Sequence, residues 1–265
     1  MIPAPVGYQC PECVAAARRE FRMGPARRAR TVARTPATRV LLAVILAVFV
    51  LEIGVGGPQS IFNGPSGRRL FDLGALYPPA IAFDRQYWRL LSSMFLHAGI
   101  LHVGFNSYAL WLFGSAVETV FGRARFLAIY LATGLVAGAA SYAFGPAQAL
   151  GVGASGAIFG VFGAFVAYNF RRRHLALASA NLRSALTIVL LNVFLGLSIP
   201  GIDLRAHIGG FVAGLAAGAV SDEVGPRGLR GFLRWGGLLA VALVGVGLVM
   251  WRTGELRSLP FGPGF

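Results

Sequence analysis

Long apolar runs separated by short polar segments make up most of the chain. Seven of these runs are predicted to form helices, at about 38–56, 93–117, 125–144, 155–170, 184–200, 205–221 and 232–251. A helix needs about 20 apolar residues to cross a hydrocarbon layer roughly 30 Å thick, and most of the runs approach that length. The pattern predicts an all-α polytopic membrane protein.

Composition agrees with that fold class. Of the 265 residues, 56% are hydrophobic and only 13% are charged, whereas soluble domains carry about 25% charged residues. All 24 basic residues are arginine, so a Ser–Lys catalytic pair is excluded. The net charge of +14 would suit nucleic acid, but arginines in cytoplasmic loops account for it. We therefore expect no nucleic-acid partner.

The positions of the arginines predict the orientation of the helices. If the N-terminus is cytoplasmic, 17 arginines lie inside and 7 outside, as the positive-inside rule requires. Residues 1–37 are polar and arginine-rich, and we expect a cytoplasmic tail rather than a cleavable signal peptide. The external loop at 57–92 is semi-apolar. Its Tyr87 and Trp88 suit either an ordinary interfacial belt or a partly embedded loop that shapes a cavity.

Several polar residues are predicted to meet at one depth. Polar side chains within membrane spans are costly and usually functional. The second, fourth and sixth helices all run from outside to inside, and they carry His102 and Asn106, Ser155, and His207 near their external ends. Because His102 and Asn106 are four residues apart, they share a helix face. His97 lies near the external end of the same predicted helix, whereas the fourth histidine follows three arginines in a cytoplasmic loop.

Glycine spacing predicts that two of these helices approach closely. Small residues recur at four-residue intervals, as Gly156 and Gly160 in the fourth helix and Gly210, Gly214 and Gly218 in the sixth. Such faces allow helix backbones to pack tightly in membranes. This packing would bring Ser155 within hydrogen-bonding reach of His207.

Each of these residues also has a purely structural interpretation. Ser155 alone suits a helix cap or a packing position, and His207 alone suits a polar group at a helix interface. The segment around Ser155 resembles a hydrolase nucleophile elbow, but Ala157 replaces the second glycine and no strand precedes it. Asp203 either orients His207, as the acid of a triad would, or caps the sixth helix.

Other membrane functions fit less well. An aspartyl intramembrane protease needs two aspartates within its spans, and a zincin needs His-Glu-x-x-His; the sequence contains neither. A metal site built from His97, His102 and His207 stays open, although no acidic partner is evident. A transporter also uses buried polar residues, but no inverted repeat is visible. We expect no cofactor.

The polar segments together resemble the rhomboid family of intramembrane serine proteases. The matching pieces are "YWR" at 87–89, "HAGILHVGFN" at 97–106, "GVGASGAIFG" at 151–160 and "GIDLRAHIGGFVAG" at 201–214. Their order and spacing match over about 38–221. The resemblance implies a rhomboid-like six-helix bundle as the protease core, followed over 222–265 by a cytoplasmic linker, an additional C-terminal transmembrane helix and an external tail.

The resemblance also implies catalytic roles. Ser155 would be the nucleophile and His207 the general base and acid, in a dyad without an essential carboxylate. His102, Asn106 and the backbone N–H of Ser155 would form an oxyanion hole. Gly153 would belong to the loop that accommodates the substrate.

Further residues would support this site. Gly156 would allow close helix contact, and His97 lies beside the oxyanion residues. Many bacterial members have tyrosine beneath the catalytic imidazole, where this chain has Phe159; we expect its ring to stack on His207. Trp88 and Arg89 match a structural motif of the first loop.

The resemblance further implies single-span transmembrane substrates within the lipid bilayer of a bacterial cytoplasmic membrane. They would enter between the second and fifth helices, where Phe194 would act as a gate. A non-catalytic rhomboid-like binding factor is the alternative. Cys10 and Cys13 resemble the final half of an N-terminal zinc ribbon found in some bacterial members, and suit a remnant or a misplaced start. A site shared between chains is the third possibility.

Overall fold

A computed structural model of the chain describes residues 2–3, 8–12, 35–198, 201–222 and 229–258. The chain divides into two units, Met1–Pro36 and Ala37–Phe265. In the first unit, β1 (Ile2–Pro3) pairs antiparallel with β2 (Tyr8–Gln9). Cys10 is exposed there, whereas Cys13 lies outside the described residues. The rest of this account concerns the second unit.

The second unit is helical, and its described helices follow in chain order. They are α1 (Pro36–Gly56), α2 (Ser60–Asn63), α3 (Gly67–Leu73), α4 (Pro78–Ala82), α5 (Arg89–Ser92), α6 (Ile100–Phe121), α7 (Arg123–Phe144), α8 (Ser155–Arg171), α9 (Ala176–Ser198), α10 (Leu204–Ser221) and α11 (Arg230–Ser258). A π-helical turn at Leu110–Gly114 interrupts α6. A 3₁₀ turn at Ser93–Phe95 separates α5 from the loop before α6.

Six of these helices are long and apolar enough to cross a membrane: α1, α6, α7, α9, α10 and α11. One further long helix, α8, has 17 residues. It packs most extensively against α10 and α7, and its buried residues include Val161 and Ala164. The predicted all-α polytopic fold class is confirmed, with α11 as the helix added after the six of the core.

The helix limits differ from the sequence prediction by seven or eight residues at three places, one of which is the end of α11 at Ser258 instead of about 251. The second long helix begins at Ile100 instead of about 93, because Gly99 has φ +106° and ends the preceding loop. Only a residue without a side chain adopts this conformation readily. The fifth long helix begins at Ala176, eight residues before the predicted start at 184. Its first turns carry polar residues, which the hydrophobicity pattern did not assign to the helix.

The loop at 57–92, which is predicted to be external, is a folded structure built around Arg89. The Arg89 guanidinium donates hydrogen bonds to the carbonyl oxygens of Phe71 at 2.6 Å and Ala75 at 3.0 Å, and to the side chain of Gln86 at 2.6 Å. It also lies 4.0 Å from the centre of the Phe71 ring. Backbone carbonyls that would otherwise need water are thereby satisfied inside the protein.

Glycines bring the backbones of α8 and α10 into direct contact. A methyl group added at Gly214 would overlap the carbonyl oxygen of Gly160, and one added at Gly210 would overlap that of Gly156. At the same level, a methyl group at Gly156 would lie 2.6 Å from the Cβ atom of Ala137 on α7, and one at Gly210 would lie 3.3 Å from it. The predicted close approach of α8 and α10 is therefore present, and α7 packs against both helices.

Gly214→Ala should destabilise this packing. The new methyl group would force the two backbones apart, and overpacking of this kind costs about 1–3 kcal/mol. We expect a lower midpoint of thermal unfolding for the purified protein in detergent micelles. Gly247→Ala is the matched control, since a Cβ atom there meets no atom within 4 Å. An unchanged midpoint for Gly214→Ala would contradict the close packing of α8 and α10.

Candidate active site

Ser155 and His207 lie side by side at adjoining helix ends. Ser155 is the first residue of α8 and is half-buried, whereas His207 lies in the first turn of α10 and is buried. His207 Nε2 is 2.9 Å from Ser155 Oγ, within normal hydrogen-bonding distance. A hydroxyl and an imidazole in this geometry are arranged for proton transfer between them.

Asp203 does not complete a triad. Its carboxylate accepts hydrogen bonds from the backbone N–H groups of Arg205 and Ala206, both at 3.1 Å, and from the hydroxyl of Ser141 on α7. The carboxylate thus caps α10, as one of the two sequence interpretations predicted. Among the described residues, His207 Nδ1 has no hydrogen-bond partner.

Phe159 lies against the imidazole of His207. The two rings are stacked, with centroids 4.4 Å apart and an interplanar angle of 15°. Phe159 is one helical turn after Ser155 on α8, so a single helix presents both the hydroxyl and the supporting ring. The stacked ring restricts the orientations that His207 can adopt.

His102 approaches the same point from α6. The backbone N–H of Ala98 donates to His102 Nδ1 at 3.2 Å. Because Nδ1 accepts this bond, the neutral ring carries its proton on Nε2. A methyl group at Gly153 would lie 2.8 Å from His102 Nε2 and 3.7 Å from Ser155 Oγ. His102 Nε2 and Ser155 Oγ therefore both lie beside Gly153.

Asn106 follows His102 by one turn of α6. Its side chain is buried, and its Nδ2 atom has no hydrogen-bond partner among the described residues. The structure thus places an uncommitted buried N–H donor on the helix that carries His102. A buried donor without a partner is costly and calls for an explanation.

His97 supports His102 from the loop before α6. It is fully buried, its Nδ1 lies 3.1 Å from the carbonyl oxygen of Phe95, and its ring contacts that of His102 edge-to-face with centroids 5.1 Å apart. Burial, and secondarily the neighbouring His102, lowers the pKa of His97 to about 3. His97 is therefore neutral near pH 7, and its contribution to stability is lost as the pH falls below about 6.5.

Backbone hydrogen bonds fix the loop that leads to Ser155. Leu76 and Gly151 exchange two hydrogen bonds of 2.9 Å each, which joins this loop to the folded external loop. The N–H of Gly153 donates to the carbonyl oxygen of Ser93 at 2.9 Å. Gly153 itself has φ +129°, a conformation that favours glycine.

The metal site left open by the sequence is not formed. Within the described ranges, no group of three His, Cys, Asp or Glu side chains is arranged to hold a metal ion. The three histidines instead face different partners: His97 faces Phe95, His102 accepts from Ala98, and His207 contacts Ser155.

Sequence reasoning missed one residue next to this site. Glu52 on α1 is completely buried, and its Oε1 atom accepts a hydrogen bond from the backbone N–H of His97 at 2.8 Å. The available signal was a single carboxylate inside an otherwise apolar run, since ionisable residues within spans are rare and usually functional.

A narrow apolar cavity of about 60 Å³ adjoins His207 between α8, α9 and α10. Its lining includes Phe159, Val193 and Phe211. The helix α9 covers this cavity and is loosely packed, since Ala178 and Ala185 are its only buried residues. The site is therefore covered by a helix that makes few contacts with the rest of the protein.

Comparison with known proteins identifies the family. A rhomboid domain family model matches residues 84–222. Rhomboid protease GluP of Bacillus subtilis is 40% identical over 177 residues, which are 66% of this chain and 32% of that protein. The putative rhomboid protease YdcA of the same organism is 34% identical over 129 residues, 49% of this chain and 64% of that protein.

A plant relative aligns over a larger share of both chains. RHOMBOID-like protein 6, mitochondrial, of Arabidopsis thaliana is 32% identical over 219 residues, which are 74% of this chain and 71% of that protein. This chain spans less than two thirds of either bacterial relative. With the family model matching over half of its length, the chain belongs to the rhomboid family.

Proposed function

We propose that this protein is an intramembrane serine endopeptidase that cleaves transmembrane helices by a Ser155–His207 dyad. The observation that carries the proposal is the 2.9 Å separation of His207 Nε2 and Ser155 Oγ. Neutral His207 takes the Ser155 proton as the hydroxyl oxygen attacks a peptide carbonyl carbon. It then gives that proton to the leaving amine as the C–N bond breaks. Water hydrolyses the acyl-enzyme by the same proton transfers in reverse order.

His102, Asn106 and the backbone N–H of Ser155 form the proposed oxyanion hole. Three observations support it: His102 carries a proton on the nitrogen that faces Gly153, Asn106 has an uncommitted buried N–H, and Ser155 begins a helix. The first N–H groups of a helix have no partner within it, and its N-terminus favours negative charge. These donors stabilise the tetrahedral oxyanion.

The remaining site residues have supporting roles in this proposal. Phe159 holds the imidazole of His207 by stacking, Gly153 leaves room for the substrate backbone, and Gly156 lets α7 and α8 approach. His97 packs beside His102. No cofactor takes part in the proposed reaction.

The substrates are proposed to be single-span membrane proteins that approach from the lipid bilayer. Each carbonyl of a transmembrane helix is already hydrogen-bonded, so the substrate must unwind locally before cleavage. Substrates with small or helix-weakening residues near the external end of the span suit this requirement. Access lies between α6 and α9, where α9 is loosely packed and Phe194 is 65% exposed.

The proposed domain organisation follows the sequence prediction. Residues 1–37 form a cytoplasmic tail, 38–221 the protease core, and 222–265 a linker, a seventh membrane helix and an external end. The arginine distribution supports this orientation in a bacterial cytoplasmic membrane.

Labelling of single cysteines tests the orientation. In a variant with Cys10 and Cys13 replaced by serine, Asp84→Cys should react with a membrane-impermeant maleimide on intact cells. His174→Cys should react only after the membrane is opened. Both positions are exposed, so accessibility within the protein does not limit either reaction. The reverse pattern would show that the N-terminus is external.

Ser155→Ala should abolish labelling by a fluorophosphonate probe and cleavage of a helical transmembrane substrate in proteoliposomes. His207→Ala should abolish cleavage, since no other base contacts the hydroxyl among the described residues. Ser221→Ala is the matched control, because Ser221 lies at the opposite end of α10 and its buried hydroxyl has no hydrogen-bond partner among the described residues. Cleavage that persisted in Ser155→Ala would rule out the dyad, whereas absence of cleavage by the wild type would favour a non-catalytic or transport function.

His102→Ala and Asn106→Ala should each lower kcat by about 100- to 1,000-fold, the usual cost of losing one oxyanion donor. KM should change little, since the charge on the oxygen develops only in the transition state. Asn181→Ala serves as the control, because the Asn181 side-chain amide donates to Asn169 Oδ1 near the C-terminal end of α8, whereas Ser155 lies at the N-terminal end. A loss confined to KM would assign His102 and Asn106 to substrate binding instead.

A further inference from the structure

Glu52 is a buried carboxylate in an apolar membrane helix, and neither the dyad nor the oxyanion hole includes it. Its Oε1 atom accepts the His97 N–H at 2.8 Å, while its Oε2 atom has no hydrogen-bond partner among the described residues. Placing an ionisable group within a span is expensive. A single backbone hydrogen bond stabilises the protein too little to offset that cost. The position of the loop that precedes α6, which this bond holds, therefore matters.

The loop that Glu52 holds also determines the protonated nitrogen of His102. The Ala98 N–H, in the peptide unit next to that of His97, donates to His102 Nδ1 at 3.2 Å. This bond leaves the ring proton on Nε2, which lies beside Gly153, the residue that also adjoins Ser155 Oγ. The His97 ring packs against the His102 ring, with centroids 5.1 Å apart.

Close backbone contacts hold the other side of the same loop. A methyl group at Gly99 would overlap the carbonyl oxygen of Phe62, and one at Gly64 would lie 2.8 Å from the Cα atom of Ala98. The loop is thus pressed between the external loop and the end of α1. Van der Waals contact limits its translation, and the Glu52 hydrogen bond fixes the direction of its peptide N–H groups.

We propose that Glu52 is a positioning residue for the oxyanion donor His102. By holding the His97 peptide, it directs the Ala98 N–H onto His102 Nδ1 and keeps the His102 proton on Nε2. The inference rests on the proposed function and goes beyond it, because it assigns a role in catalysis to a residue of the first membrane helix that touches neither substrate nor dyad.

Loss of this acceptor should therefore affect kcat more than KM. Without Glu52 the peptide units of the loop can rotate, and His102 then divides between its two neutral tautomers. Only one of them presents an N–H to the oxyanion. The expected loss is smaller than that of His102→Ala, about tenfold against the 100- to 1,000-fold of a deleted donor.

The test compares Glu52→Leu with Glu52→Gln, which keeps a carbonyl oxygen acceptor. Each is measured for kcat and KM in proteoliposomes, alone and combined with His102→Ala. We expect Glu52→Leu to lower kcat about tenfold with little change in KM, and Glu52→Gln to restore most of the activity. In the His102→Ala background, Glu52→Leu should cause no further loss of kcat. The effects of substituting two residues are not additive when one acts through the other.

Glu118→Leu is the matched control. The Glu118 carboxylate also accepts backbone N–H groups, from Ala37 at 3.0 Å and Thr38 at 2.8 Å, but it joins α1 to the end of α6 remote from His102. Glu118→Leu should lower the midpoint of thermal unfolding. It should also reduce kcat by the same factor in the wild-type and the His102→Ala backgrounds. The same additive behaviour in Glu52→Leu would show that Glu52 is only structural and would overturn the proposal.

A spectroscopic measurement separates this proposal from that of the catalytic function. The ¹⁵N chemical shifts of the His102 ring report its tautomer without any turnover. We expect the Nε2–H form in the wild type and in Glu52→Gln, and a mixture in Glu52→Leu. An unchanged tautomer in Glu52→Leu would overturn the role of Glu52, whereas persistent cleavage in Ser155→Ala would overturn only the proposed dyad.

Discussion

The direct contact between the backbones of α8 and α10 is the constraint on which the rest of the site depends. In a bilayer, helices gain little from hydrophobic burial against one another, because lipid is equally apolar, and packing and hydrogen bonds drive their association. Gly163 on α8 and Gly210 and Gly214 on α10 lack the side chains that would separate these helices. The 2.9 Å distance between Ser155 and His207 follows from this approach, since both residues lie at the same end of the pair.

Loops, rather than packed helices, position the segment that precedes Ser155. Gly153 is held by Ser93, and Gly151 by Leu76 in the external loop. That loop continues into α4, where the side chain of Arg257 on α11 donates to the carbonyl oxygen of Ala82 at 2.6 Å. Continuous contacts therefore connect the seventh long helix with the loop before Ser155. The family model ends at residue 222, so this support comes from outside the matched domain.

The number of long helices and the approach of Ser155 to His207 could be predicted from the sequence, because both leave short-range patterns in it. Apolar runs predict the spans, and four-residue glycine spacing predicts the α8–α10 contact. The start of α6 was wrong because it depends on the backbone conformation of Gly99, which periodicity does not report. The hydrogen bond of Glu52 to His97 joins residues 45 apart, and no local pattern predicts such a pair. Asp203 was ambiguous until the two N–H groups that it caps were located.

The site contains several buried polar atoms that have no hydrogen-bond partner among the described residues: His207 Nδ1, Asn106 Nδ2, His97 Nε2 and Glu52 Oε2. Each such group destabilises the folded protein by about 1–3 kcal/mol. In the proposed reaction, some of these atoms acquire partners or charge only in the transition state, and that difference is what accelerates a reaction. A site whose donors were all satisfied at rest would be more stable, but it would have none left for the oxyanion. The glycine contacts of α8 with α10 and the backbone bonds of the loops hold these unsatisfied atoms in place.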